Sequence, residues 1–338
     1  MLKERQLNIL TLIIKNYNAT GQPIGSKTLM ELGIHASSAT IRNDMSALEK
    51  VGFLEKAHTS SGRVPTLNGL RFYIDNVLAP MNISANMLNL APNNVHELDS
   101  YLEQFVQSMA KATNYTTFAI APNLEERLLT DVQILPLNHL QRLVLLITDN
   151  GQVETHILSM NSLSEKEVET FHLLVQNYFV GEKWGKIKSL IKTRMPMILH
   201  QYFDYPQEII HLLEELFPED DLPKVHISGK LNLLEYFQIK TSDDFRELYR
   251  FFGHSKAIAD LFQTTKDFDI RIGTELNNQL FNGMSLLTTD YLVENHGVGK
   301  LAVLGPLNMD YEKNIHLLKS AGKELADRLN EYYRYLSI

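Results

Sequence analysis

The chain has 338 residues, 44% hydrophobic and 21% charged, with a net charge of −8; this is the make-up of a soluble globular protein with room for two or three domains. The lack of cysteine excludes disulfides, thiolate catalysis and the cysteine-based zinc folds, and fits a reducing cytoplasm. No apolar run approaches the roughly 18 residues of a membrane span, and the first ten residues, MLKERQLNIL, lack the apolar core and small-residue cleavage site of a secretory signal.

Charge is unevenly spread. Residues 1–75 hold nine Lys/Arg and six Asp/Glu, whereas residues 76–338 hold 23 and 34. A basic head on an acidic body predicts that the head alone meets a polyanion.

Leu7, Leu10, Ile14 and Tyr17 recur at three- and four-residue steps and predict an amphipathic helix over 4–20, stopped by Gly21 and Pro23. A short helix follows from Ser26 to Leu32, stopped by Gly33, and a third runs from Ser37 or Ser38 to near Gly52. Two short strands, 53–57 and 63–65, flank a turn at 59–62, and a fourth helix opens at Thr66. Three helices followed by a hairpin is the order of a winged helix-turn-helix. Residues 79–94, rich in Asn and bounded by prolines, read as a linker.

Val95, Leu98, Leu102, Phe105 and Met109 then form a heptad-like seam, which fits either a twin helix or the face of its own domain. Strands are expected at 116–121, 132–137, 143–148 and 153–159, with Asn150-Gly151 as a hairpin turn. Ser164 and Glu167 make a capping box for a helix to Tyr178. Further helices are expected at 184–192 and from Pro206 to Phe217, before an acidic hinge, PEDDLP. Helices at 243–252 and 256–262, strands at 268–272, 284–293 and 301–304, and a last helix from Met309 complete an α+β body. The helical block at about 160–222 reads as an insertion in that body.

On a helix stepping about 100° per residue, Ile41, Met45 and Leu48 share one face, and Ala39, Arg42, Asn43, Ser46 and Lys50 share the other. The outward stripe holds no acid. Arg42 can give two donors to guanine, Asn43 can pair with adenine, and Ala39 and Thr40 lie beside them. Ser37, Ser38, Lys50 and the hairpin residues His58, Thr59, Ser60 and Arg63 are candidate phosphate or wing contacts.

These residues carry a resemblance. GQPIGSKTL, SSATIRNDMSALEKVGFLEKAHTSSGRVPT and GLRFYIDNVL resemble the N-terminal signature of HrcA, the bacterial heat-shock repressor family. IGTEL (272–276), MSLLTTDY (284–291), VGKLAVLGP (298–306) and MDY (309–311) look like that family's later blocks, so the likeness spans most of the chain. Leu307-Asn308 stands where the family usually has Thr-Arg, so no role of that arginine is carried over. The resemblance implies a winged-helix domain (1–78), a GAF-like domain (95–160 and 223–338) and an inserted, mostly helical dimerisation domain (161–222). It implies a cytoplasmic homodimer that represses chaperone operons at an inverted-repeat operator, CIRCE. It implies that the chaperonin GroEL keeps the repressor competent to bind.

Other functions are weaker readings. The twelve histidines form no H-E-x-x-H, and His200 and His211 near Glu214 and Glu215 fit a solvated helix face. HGVGK (296–300) lacks the phosphate-loop spacing, has Leu301 where a hydroxyl is needed, and fits a hairpin turn. No nucleophile elbow occurs. No enzyme activity, cofactor or metal is expected. The alternative is a small-molecule-sensing regulator whose sheet domain has a pocket lined by Phe268, Phe281 and Tyr291, residues that fit core packing better. Trp184, beside Tyr178 and Phe179, fits a contact surface or buried packing.

Overall fold

The structure, a computed structural model, describes residues 2–57, 62–79, 98–122, 124–149, 151–218, 224–237, 242–262 and 264–336. The expected hairpin tip at His58–Ser60, most of the linker, Val95, Asn150 and most of the acidic hinge lie outside the described residues.

The head opens with α1 (Glu4–Thr20), which buries Ile9, Leu10, Ile13 and Ile14. The expected stripe is therefore rotated: Leu10 and Ile14 hold its centre, and Leu7 and Tyr17 are half-buried flanks. Helix α2 (Ser26–Glu31) leads to α3 (Ser38–Lys50). Ser37 caps α3, its hydroxyl accepting the Thr40 N–H at 3.2 Å, and Ile41, Met45 and Leu48 face the core. Strands β1 (Leu54–Lys56) and β2 (Arg63–Pro65) pair antiparallel, Glu55 opposite Val64. Thr66 caps α4 (Leu67–Tyr73), which continues as a π-type turn over Ile74–Leu78. Gly69 is required where α4 crosses the hairpin, because a Cβ there would lie 2.1 Å from the Phe53 carbonyl oxygen.

The body is built on an antiparallel sheet ordered β7-β3-β10-β9-β8: Val225–Ser228, Thr116–Ile120, Gly297–Pro306, Met284–Val293 and Phe268–Ile272. Alternation along the strands splits their side chains between two cores. Ala119, Leu287, Tyr291, Leu301 and Val303 join α5 (Leu98–Thr113), α13 (Tyr311–Leu336) and the head helices in one cluster. Phe118, Leu286, Ala302 and Leu304 join α10 (Lys230–Tyr236), α11 (Ser242–Gly253) and α12 (Ser255–Leu261) on the other face. Tyr311 ties the last helix to the sheet: its buried hydroxyl donates to Leu307 O (2.9 Å) and accepts from Ser285 Oγ (2.6 Å).

Three expectations change. First, the seam of Leu98, Leu102, Phe105 and Met109 is wholly buried against the chain's own sheet, so it offers no face to a twin helix. Second, β4 (Leu129–Pro136), β5 (Gln141–Thr148) and β6 (Val153–Ser159) do not extend the body sheet but form a separate meander. One face of it packs on α6 (Glu165–Phe179), α7 (Trp184–Thr193), α8 (Met195–Leu199) and α9 (Pro206–Leu216) around a third core. This separate unit thus takes in three of the four strands expected in the body over 95–160, while the first, β3, stays in the body sheet. Alternation reports one buried face, not which sheet owns it. Third, β7 and α10 occupy a stretch for which no element was expected. A four-residue strand carrying His226 and Ser228 gives almost no periodic signal.

Trp184 is core and not surface: it is fully buried, with the Arg127 guanidinium 3.6 Å above its ring and Phe217 alongside. Gly297 and Asn295 form the turn between β9 and β10 in left-handed conformations, so HGVGK is a hairpin segment. Among the described residues no helix is long and apolar enough to cross a membrane.

The head is fastened to the body by ion pairs as well as by shared core. Arg71 Nε donates to Glu275 at 2.9 Å, its Nη2 donates to both Glu275 and the Ile270 carbonyl, and Lys15 pairs with Glu312 at 2.8 Å. Arg71 and Glu275 belong to GLRFYIDNVL and IGTEL, two motifs separated by about 200 residues of chain.

Candidate nucleic-acid interface

Helix α3 presents Ala39, Arg42, Asn43 and Lys50 to solvent, with Thr40 and Ser46 half-buried beside them. Its one interior acid, Asp44, points the other way. Asp44 is 7% exposed and accepts from Arg5 Nε at 2.6 Å and Gln6 Nε2 at 3.4 Å. The exposed side of the helix keeps its positive charge because α1 supplies the cation that neutralises this carboxylate.

The second acid, Glu49, is held by the hairpin. Its Oε2 lies 2.9 Å from Arg63, and Lys56 Nζ lies 3.9 Å from Oε1. Arg63, a candidate for a backbone or wing contact, is thus engaged within the head. Its side chain is only 12% exposed, and its backbone exchanges two hydrogen bonds with Ile24, at 2.9 and 3.1 Å. Arg63 therefore staples the hairpin to α3 and to the α1–α2 connection. Lys56 is the hairpin cation that faces solvent.

The serines at the start of α3 are also partly engaged. Ser37 Oγ caps the helix and meets Thr40 Oγ1 at 2.9 Å. Ser38 Oγ lies 2.8 Å from Ser26 Oγ, and Arg42 Nε donates to that same Ser26 oxygen at 3.3 Å. Ser26, Arg42, Met45, Ser46, Lys56 and Arg63 line a cleft of about 430 Å³ between the two helices and the hairpin.

The structure thus brings Ser37, Ser38, Ala39, Thr40, Arg42, Asn43, Ser46 and Lys50 onto one helix as expected. It adds three residues that the sequence did not single out: Ser26, Lys56 and Lys27, an exposed lysine on the first turn of α2. Lys56 could have been found from its place on the strand leading to the hairpin tip. Ser26 could not, because its role depends on a contact made across 16 residues of chain.

A larger cleft, about 800 Å³, lies beside the body sheet between Ile120, Phe262 and Val298. Its two charged groups, Glu126 and Lys300, are already paired with Lys183 and Asp290. Phe281 and Tyr291 are buried in the body cores and do not line it. His211 and Glu214, raised as conceivable ligands, form an exposed pair one helical turn apart.

A family model described as the HrcA protein C terminal domain matches residues 99–315. A protein of Enterococcus faecalis (strain ATCC 700802 / V583) named heat-inducible transcription repressor HrcA is 38% identical over 345 residues, covering 99% of both chains. The protein of the same name from Tetragenococcus halophilus is 39% identical over 341 residues, covering 99% of this chain and 98% of that one. Among solved structures, a crystal structure described only as that of a hypothetical protein aligns over 98% of both chains with a TM-score of 0.62 at 21% identity, a likeness of fold.

Proposed function

The chain belongs to the HrcA family of heat-inducible transcription repressors, and from that premise we propose that it represses chaperone operons by occupying an inverted-repeat operator as a homodimer. The head acts as a winged helix-turn-helix in which α3 enters the major groove. Arg42 and Asn43 read base edges, Ala39 and Thr40 lie against them, and Ser37, Ser38, Ser46, Lys50, Lys27 and Lys56 hold the phosphates. His58, Thr59 and Ser60 contribute from the hairpin tip. One observation carries this reading: both acids of α3 are drawn away from its exposed side, Asp44 by Arg5 and Glu49 by Arg63. A solvated helix needs no such arrangement, whereas a helix that approaches phosphates does.

An inverted repeat requires a twofold protein, one head per half-site. The outer face of the β4–β6 meander supports self-association through the inserted unit. Leu135 and Ile157 lie on either side of Leu143, and Val153 is opposite Ile147, with Leu135, Val153 and Ile157 about half exposed. Such an apolar sheet face is costly in water and suited to burial against its twin. The body acts as the GAF-like frame that joins head and inserted unit. The protein works in the cytoplasm, and the chaperonin GroEL favours its operator-competent form, so that repression lapses when unfolded protein draws the chaperonin away.

The test is an anisotropy titration of the full-length protein against a chaperone-operon inverted repeat and a scrambled duplex, at several salt concentrations, with and without chaperonin. The reading expects a preference for the repeat that chaperonin strengthens. Equal affinity for both duplexes under all conditions would overturn it.

A further inference from the structure

We infer that Ser26, on α2, is a positioning residue for base reading: with Ser38 it fixes the plane in which Arg42 presents its guanidinium. The inference rests on the reading of α3 as the operator-reading helix and adds to it a residue that need not touch DNA.

Ser26 is 7% exposed, on the first turn of α2 and packed beneath α3. Its hydroxyl oxygen meets two partners, Ser38 Oγ at 2.8 Å and Arg42 Nε at 3.3 Å. A serine hydroxyl has one proton to give and two lone pairs to accept with. It can accept from Arg42 while donating to Ser38, or accept from both. Either way the Nε–H has its acceptor.

The consequence follows from the shape of arginine. The guanidinium is planar, so a hydrogen bond at Nε sets the direction of the two terminal nitrogens as well. The side chain is otherwise long and rich in rotamers. Two-point recognition of a guanine requires both terminal donors in the plane of the base. With Nε turned back onto Ser26, the remaining donors form an end-on fork, and part of the ordering is done before DNA arrives. Ser38 in turn sits at the first residue of α3, so the network also joins the start of the reading helix to the helix behind it.

The test uses the full-length protein with the inverted-repeat and scrambled duplexes. The variants are Ser26→Ala, Ser26→Thr, Ser38→Ala, Arg42→Ala and Ser26→Ala/Arg42→Ala. Ser26→Ala is expected to lower the preference for the repeat about three- to tenfold, the range for the net contribution of one ordinary hydrogen bond, as fits an N···O separation at the long end. The salt slope stays the same, because no charge is removed. Ser26→Thr, which keeps the hydroxyl, retains the preference, and Ser38→Ala lowers it by less than Ser26→Ala. In the Arg42→Ala background, Ser26→Ala causes no further loss of preference, a coupling that general damage to the head would not produce. Equal losses on both duplexes, or the same loss with and without Arg42, would overturn the positioning role while leaving the operator reading intact. An Arg42→Ala protein that keeps the full preference would overturn the operator reading of this helix and the inference with it. Ser38→Ala serves as the independent arm if Ser26→Ala does not fold, and an unchanged preference there would count against the network.

Discussion

Neutralising Glu49 should make the protein bind DNA more tightly and less discriminatingly. Glu49 sits at the end of the proposed reading helix, with Arg63 at 2.9 Å and Lys56 at 3.9 Å. In Glu49→Gln the amide can still accept from Arg63, but the negative charge that holds Lys56 back from the phosphates is gone. Lys56, 67% exposed, then meets its phosphate without competition from a counter-charge. A phosphate contact fully released from such competition steepens the dependence of log affinity on log salt by up to about 0.9, which amounts to roughly a three- to fourfold change over a fourfold change in salt. The gain is independent of sequence, so the scrambled duplex should benefit at least as much as the operator. The stability cost should be small, about 0.5–1 kcal/mol, because Glu49 is partly exposed and screened. Anisotropy titrations at 50 to 200 mM salt, with urea melts as the control, measure both effects. A variant with an unchanged slope, or with weaker binding to both duplexes from a folded protein, would show that Glu49 does not hold Lys56 back from the nucleic acid and would remove Lys56 from the interface.

The Arg71–Glu275 contact should couple head to body, with a double-mutant cycle in urea giving about 1 kcal/mol between Arg71→Ala and Glu275→Ala, modest because both side chains are partly exposed; additive losses would show that the pair contributes nothing. The Asp99 carboxyl is held at about 2, from an ordinary 3.8, by the His226 ring against it and then by Lys224 at 2.6 Å, which together outweigh burial. Its folded pKa is depressed, so its roughly 1–2 kcal/mol is present above about pH 4 and lost as pH falls towards 2. The stability gap between wild type and Asp99→Asn should therefore close over that window, and a gap constant from pH 5 to 2 would contradict the assignment. Ile157→Asp places an unpaired charge on the outer face of the meander and should weaken self-association by about 3 kcal/mol or more, over a hundredfold, without unfolding the monomer. Sedimentation at a series of concentrations reads this directly, and an undisturbed dimer would move the interface elsewhere.

What was legible in the sequence was local. The Ser37 cap, the buried face of Ile41, Met45 and Leu48, and the exposed Arg42 and Asn43 all follow from one helical period and one capping residue, and the structure has them so. The Arg63–Glu49 contact was not legible, because the two lie 14 residues apart across a turn and nothing in the spacing pairs them. Ser26 was missed for the same reason. The heptad-like seam at 98–109 and the alternation at 132–159 each reported a buried face, but neither could say what covered it. The partner proved to be the chain's own sheet in the first case and the helices of the inserted unit in the second. The motifs IGTEL, MSLLTTDY, VGKLAVLGP and MDY were recognisable as a pattern before their physical role was. They supply the two longest strands of the body sheet, β9 and β10, the Glu275 that receives Arg71, and the Tyr311 that ties α13 to Ser285.

The most direct test of the account is a titration of wild type and Arg42→Ala against a set of operator duplexes, each with one base pair changed. The account predicts that Arg42→Ala loses about 1–3 kcal/mol on the parent operator and becomes indifferent to the identity of one base pair, the same in each half-site, while its response at the other positions is kept. If Arg42→Ala instead weakens binding to every duplex by the same factor, Arg42 touches only phosphate, and α3 does not read the operator as described.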